Sequence, residues 1–150
     1  MVNATPHTVR LWIAPRSARF AAFFIDLLLW ALLAIWIEAA ADPFLQEGEE
    51  LVVLVPEFLY YWLLHARYGQ TLGKALLGIK VVARATGNPP SFRESAVRAG
   101  FYLMVPLLPL VGWIVALANG LHIFRDRRHR CYHDRLADTV VVSVPPKAAG

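Results

Sequence analysis

The sequence predicts an all-α membrane protein with two transmembrane helices, a third hydrophobic segment broken by prolines, and a small cytoplasmic β pairing. The 150 residues are 57% hydrophobic and 17% charged. Soluble domains are usually about half apolar and a quarter charged, so this composition indicates a membrane protein. Apolar runs lie at 20–41, 51–66 and 99–124, and about 20 apolar residues suffice to cross a bilayer. Basic residues lie in the blocks that flank these runs.

The first two runs set the predicted topology. Short basic segments stay on the cytoplasmic side of a membrane, and residues 1–19 contain three arginines and no acid. The amino terminus is therefore predicted inside, with 20–40 crossing outward and the acidic segment 41–50 outside. Run 51–66 then returns and leaves the basic segment 67–98 in the cytoplasm. We expect a multi-pass protein of the cell membrane with both termini cytoplasmic.

The third run contains Pro106, Pro109 and Gly112 near its centre. Prolines disfavour a continuous helix because each removes a backbone donor. A single crossing would leave the basic tail at 125–135 outside, against the rule for basic segments. A re-entrant hairpin that turns at 106–112 would return this tail to the cytoplasm. A proline-kinked single span is the alternative.

Two β-branched segments, GIKVVA at 78–83 and TVVVSV at 139–144, are bounded by turn residues and predict short strands. The two segments gain backbone partners by pairing, which requires both to lie on the same side of the membrane. The domain is expected to cover 14–144, with flexible termini at 1–13 and 145–150. The sequence shows no internal repeat.

Local signals also predict how the segments between the runs fold. Ser91 and Glu94 fit a capping box that starts a helix leading into the third run. Arg93 and Arg98 on that helix are predicted to keep their charges among the lipid headgroups. Upstream, QTLGKALLG predicts a short helix that lies along the membrane.

Asp26 lies deep in the first run, where an ionised carboxylate costs several kcal/mol. It therefore needs a partner or a proton. Arg19 points toward the headgroups, since helical side chains lean toward the amino terminus. His65, at a similar depth on the second run, is the predicted partner of Asp26. Glu57 lies nearer the outer half and is either a second functional carboxylate or a wetted interfacial one.

Four motifs in this order resemble the RDD family of small membrane proteins, which is named for one arginine and two aspartates. They are RFAAFFID, YGQTLGKALLGIKVV, SFRESAVR and HDRLADTVVV. The resemblance covers nearly the whole chain and implies that Arg19 is the family's arginine and Asp26 its first aspartate. It implies that Asp134, beside His133, is the second aspartate. We expect Arg19 and Asp134 to pair and fasten the tail to the first helix.

The resemblance implies transport of ions or small ligands, with cation/proton exchange as one form of it. A chain this small would need to work as a homo-oligomer or in a larger membrane complex. The alternative is a non-enzymatic accessory or assembly subunit of such a complex. No enzyme motif is present in the sequence, so we expect no catalytic residue and no cofactor.

Two other partner classes are not expected. The basic residues flank apolar runs, as membrane topology requires, and this explains them without nucleic acid. HRCYH at 129–133 alternates potential metal ligands, but structural zinc sites usually have four. No metal site is therefore predicted.

Overall fold

The computed structural model describes residues 12–41, 49–127 and 129–144. The termini at 1–11 and 145–150, and most of the predicted acidic loop at 42–48, lie outside the described residues. The elements are α1 (Arg16–Ala41), α2 (Glu49–Tyr68), α3 (Leu72–Leu76), β1 (Ile79–Ala83), α4 (Phe92–Leu107), α5 (Pro109–Leu121), a 3₁₀ turn (His122–Phe124), α6 (Tyr132–Leu136) and β2 (Thr139–Ser143).

Helix α1 is long and apolar enough to cross a membrane, and within the described ranges it is the one helix that meets both criteria. At 1.5 Å per residue its 26 residues extend about 39 Å. It exposes large apolar side chains along its length, among them Phe24, Leu28, Ile35 and Trp36. An apolar surface of this kind marks contact with lipid or with another protein.

Helices α2 and α4 pack against each other. The rings of Tyr61 and Tyr102 stack with their centroids 4.1 Å apart, and Trp62 Nε1 donates to the carbonyl of Phe92 at 2.8 Å. The carboxyl end of α2 therefore lies beside the amino end of α4. The predicted capping box starts α4, because Ser91 N donates to a Glu94 carboxylate oxygen at 2.6 Å.

The third apolar run folds into a helical hairpin. The helix breaks at Leu108, where φ is −129° and ψ is 77°. The ring of Phe101 lies 5.8 Å from the ring of His133, and Asn119 Nδ2 lies 2.9 Å from the Nδ1 of the same histidine. A straight helix would separate residues 101 and 119 by about 27 Å. The chain thus turns back on itself, as predicted, and the alternative of a kinked single span is wrong.

The predicted strand pairing is confirmed. Strands β1 and β2 pair antiparallel, with Val81 opposite Val141 at the centre. The segment before α1 adds to the free edge of β2, where Ser143 N donates to the carbonyl of Trp12 at 2.7 Å. Residues 12 and 13 were predicted within a flexible terminus, but Ile13 forms a bridge with Val142. They pair because an edge strand offers unused donors and acceptors.

The structure contains a repeat that the sequence does not reveal. Segments 71–83 and 131–143 each form a short helix, a left-handed residue and a strand, with corresponding residues sixty positions apart. The left-handed residues are Gly78 (φ 61°) and Asp138 (φ 45°). Identical residues are few, which hides the repeat: Leu76 and Leu136, Val81 and Val141, Val82 and Val142. The prediction of no repeat is wrong.

Each of these segments follows a pair of helices, α1 with α2 and α4 with α5. The chain therefore consists of two halves with the same order of elements. Because the strands pair antiparallel about Val81 and Val141, the two short segments are related by an approximate twofold axis through the sheet. The core beside the sheet consists of Ala14, Ala22, Ile79, Val81 and Val141.

Candidate functional site

Asp26 anchors the short helix α3 to α1. Its carboxylate is buried and accepts three hydrogen bonds, from Thr71 Oγ1 at 2.5 Å, Gly73 N at 2.8 Å and the Tyr60 hydroxyl at 3.0 Å. A carboxylate is stabilised by the unpaired amides at a helix amino terminus. Gly73 is required at this contact, because an added Cβ would lie 2.3 Å from the carbonyl oxygen of Ala22.

The predicted pairing of Asp26 with His65 is wrong. His65 is fully buried, and its Nδ1 lies 2.7 Å from the carbonyl of Tyr61, one turn earlier on the same helix. This carbonyl requires a proton on Nδ1, so Nε2 is an acceptor, and it has no hydrogen-bond partner among the described residues. The donors to Asp26 come from α3 and from Tyr60 instead.

Lys74, one residue after Gly73, is a buried amine that sequence analysis missed. Its Nζ lies 3.4 Å from Thr71 Oγ1, so one hydroxyl group connects the amine to the carboxylate of Asp26. Burial, reinforced by the positive charge of Arg98, lowers the pKa of Lys74 to about 8, while Asp26 opposes this shift. The sequence does contain an indication of this site. A lysine among the apolar residues of TLGKALL must either have a buried partner or extend its amine to water.

The predicted pair of Arg19 and Asp134 is confirmed. Arg19 Nη2 lies 2.5 Å from Asp134 Oδ2, and its other terminal nitrogen donates to the carbonyl of His129. The same aspartate oxygen accepts from the amide of Cys131 at 2.9 Å. The tail motif is therefore bound directly to the first turn of α1.

A second arginine completes this cluster. Arg98 Nη1 donates to Asp134 Oδ1 and to Thr139 Oγ1 at 2.6 Å. Burial alone would raise the pKa of Asp134, but Arg98 and Arg19 outweigh it and hold that pKa well below its usual range. Arg98 was predicted among the headgroups and is instead buried, because its partner is supplied from α6, distant in sequence.

His133 extends the cluster toward α5. Its Nε2 lies 3.3 Å from Asp134 Oδ1, and its Nδ1 lies 2.9 Å from Asn119 Nδ2. Burial lowers the pKa of His133 to about 4, although Asp134 opposes the shift. His133 is therefore neutral at physiological pH. Its Nε2 donates to the carboxylate of Asp134 and so orients it.

Glu57 joins neither cluster. It is half-buried on α2, and none of the hydrogen bonds to Asp26 or Asp134 described above involves it. The structure thus brings together Arg19, Asp134 and His133, and it separates Glu57 from them.

One group of residues has the composition of a metal site. The ligand atoms of Cys131, His133 and Asp134 lie within 4.8 Å of one another. Both oxygens of Asp134 already accept from guanidinium groups, and a cation would meet the repulsion of these two charges. Burial and the charge of Asp134 raise the pKa of the Cys131 thiol to about 11, so the thiolate that metals require is disfavoured. The residues do not fit a metal ion.

The family model described as RDD family matches residues 13–138. No curated protein matches the chain, and no solved structure matches it. The matched range contains helices α1 to α6 and strand β1, with Arg19, Asp26, Lys74, Arg98 and Asp134, and it ends immediately before β2.

Proposed function

We propose a function for this chain from its membership in the RDD family. It is a multi-pass subunit of an oligomeric membrane transporter, which couples the movement of an ion or small ligand to the movement of protons. Cation/proton exchange is the form that we propose to test. The proposed role is non-enzymatic and uses no cofactor. Three features support it: the apolar α1, the α4–α5 hairpin and the buried charges.

The proposed topology has two hairpins that open to the cytoplasm. The carboxyl end of α2 and the amino end of α4 are adjacent. Phe20 at the start of α1 stacks on Phe124 after α5, with centroids 6.0 Å apart. Both strands lie at this end, as do the basic residues Arg84, Arg125 and Arg127. Short basic segments are retained in the cytoplasm.

The buried amine of Lys74 is the observation that carries the transport proposal. It lies one hydroxyl group from Asp26, and its pKa of about 8 allows it to gain or lose a proton at physiological pH. Ionisable groups in membrane proteins frequently mark ion and proton pathways. A cation that enters near Lys74 would lower the pKa of the amine further, as the charge of Arg98 does, and Lys74 would then release its proton.

An oligomer supplies the path that one chain lacks. A chain of four membrane-embedded helices has little interior to enclose a path, and the buried Asp26 and Asp134 clusters occupy part of it. Helix α1 exposes apolar side chains such as Leu28 and Ile35 to its surroundings. A second copy packed on part of this surface would enclose a path between subunits.

Reconstitution tests the proposal. Purified protein in liposomes that contain a pH-sensitive dye is given a sodium or potassium gradient, and proton movement is recorded. Wild type and Lys80→Met, which changes a lysine of strand β1, are expected to move protons. Lys74→Met and Asp26→Asn are expected to lose this flux, and Lys74→Arg, which keeps a fixed charge, to lose it as well. Undiminished flux in Lys74→Met would contradict the proposal.

An accessory role in a larger membrane complex is the second candidate. The observation that favours it is the exposure of large aromatic side chains, Trp12 at 72% and Trp36 at 75%. Absence of flux in wild type, together with photo-cross-links from position 36 to one defined membrane complex, would favour this role over transport.

A further inference from the structure

The short helices α3 and α6 expose apolar side chains at equivalent positions. On α3, Leu72 is 54% and Leu76 is 72% exposed. On α6, Tyr132 is 47% and Leu136 is 67% exposed. Between them, residues 73–74 and 133–134 are buried, whereas Ala75 and Arg135 are exposed. Each short helix therefore has one polar face toward the charge cluster and one apolar face directed away from it.

Helix α3 lies beside α1 rather than beyond its end. Gly73 packs on the carbonyl of Ala22, where an added Cβ would be 2.3 Å from the oxygen. Ala22 is six residues into α1, about 9 Å along the helix axis. At this level α1 exposes Phe23 and Phe24. The leucines of α3 thus continue the apolar surface of α1.

Helix α6 has the same relation to α4. Asp134 binds Arg98, which is also six residues into its helix and hence at about 9 Å along the axis. Val97, adjacent to Arg98, is exposed. The two halves of the chain therefore hold their short helices at equal depths along α1 and α4.

We propose that α3 and α6 are buried in one leaflet of the bilayer, with their four exposed apolar side chains against the lipid acyl chains. In the proposed topology this is the cytoplasmic leaflet. The occupant is lipid because the apolar faces are continuous with the exposed surfaces of α1 and α4. Two exposed arginines lie close to these faces in the sequence: Arg67 at the carboxyl end of α2 and Arg135 on α6. They would contact headgroup phosphates, as expected of interfacial basic residues.

A helix of five residues does not bind a membrane by itself, since binding strength scales with buried apolar area. Here the two carboxylates hold the short helices in place. Asp26 fixes the amino end of α3, and Asp134 fixes α6 through Arg19 and Arg98. The apolar faces then add lipid contact to helices that are already positioned.

Spin-label accessibility tests the proposal without any measurement of transport. Leu76→Cys and Leu136→Cys are labelled with a nitroxide in nanodiscs that contain anionic lipid, and collisions with oxygen and with a water-soluble nickel complex are compared. Ala85→Cys, in the exposed turn after β1, is the aqueous control, and Ile114→Cys, at an exposed position of α5, is the bilayer control. Wild type, whose single Cys131 is buried, reports any background labelling.

The proposal expects oxygen collisions to exceed nickel collisions at both 76 and 136, with the same depth at the two positions. Greater nickel accessibility, as at the aqueous control, would overturn it. Protection from both reagents would also overturn it, because it would show that protein, either a second copy or a partner, covers these faces. Transport can fail in liposomes while this result stands, so the two proposals are tested separately.

Discussion

Lys74 and Asp134 occupy equivalent positions in the two halves of the chain and carry opposite charges. Each is the third residue of its short helix, and both are buried. Two like charges at these positions would repel each other across the approximate axis, whereas Asp134 stabilises the charged form of Lys74. The opposite charges thus couple the Asp26 cluster of the first half to the Asp134 cluster of the second half.

Asp134→Asn is expected to destabilise the fold strongly. It leaves the guanidinium groups of Arg19 and Arg98 without their anion, and breaking a buried ion pair costs about 3–5 kcal/mol. The free energy of unfolding in mixed micelles measures the effect. Arg84→Gln is the matched control, because its pair with Asp138 is exposed and exposed pairs contribute little. Equal effects of the two substitutions would refute the structural role of the cluster.

Gly73→Ala is expected to separate α3 from α1. The added Cβ would lie 2.3 Å from the Ala22 carbonyl oxygen, and overpacking of this kind costs about 1–3 kcal/mol. Gly100→Ala, also helical, has open space around its Cβ and should instead stabilise by about 0.5–1 kcal/mol. The thermal unfolding midpoints of the two variants should shift in opposite directions. A shift in the same direction would contradict the close approach of α3 to α1.

Thr71→Val is expected to disturb both Asp26 and Lys74. The substitution removes the hydroxyl that donates to Asp26 and contacts the amine. An unsatisfied buried polar group costs about 1–3 kcal/mol. Thr71→Ser keeps the hydroxyl and should retain most of the unfolding free energy. If Ser and Val are equivalent at this position, the hydroxyl bridge has no energetic role.

Stability should fall in mild acid because of His133. The histidine takes up its proton near its ordinary pKa in the unfolded chain but only at about 4 in the fold. Between these values the unfolded state binds more protons, so each unit of acidification costs up to about 1.4 kcal/mol. His133→Gln should flatten the dependence of unfolding free energy on pH between about 6.5 and 4. An unchanged slope in this variant would rule out His133 as its source.

The sequence predicted the features that follow from polarity and local chemistry. The apolar runs predicted the long helices, and the prolines predicted a break in the third run, which lies at Leu108. The β-branched segments predicted the two-stranded sheet. Arg19 and Asp134 were paired by their resemblance to a family motif. Each of these predictions depends on residue type and order rather than on distances in space.

What the sequence could not predict depends on contacts across the fold. The partners of Asp26 include the backbone amide of Gly73, and no side-chain pattern reveals an amide donor forty-seven residues away. Arg98 was placed among headgroups because its carboxylate partner comes from α6. The repeat was missed because only three of its thirteen aligned positions are identical, and its likeness lies in the backbone.

In the proposed topology, the α4–α5 hairpin returns the chain to the side from which it entered, so that the Asp26 and Asp134 clusters of the two halves lie on the same side. This topology is tested by labelling single cysteines in oriented vesicles with a membrane-impermeant maleimide. Cysteines at exposed positions 85 and 127 should react from the same, cytoplasmic side, while Glu38→Cys on α1 should react from the other. Reaction of 85 and 127 from opposite sides would contradict this topology, because β1 and β2 pair with each other and must lie on one side of the membrane.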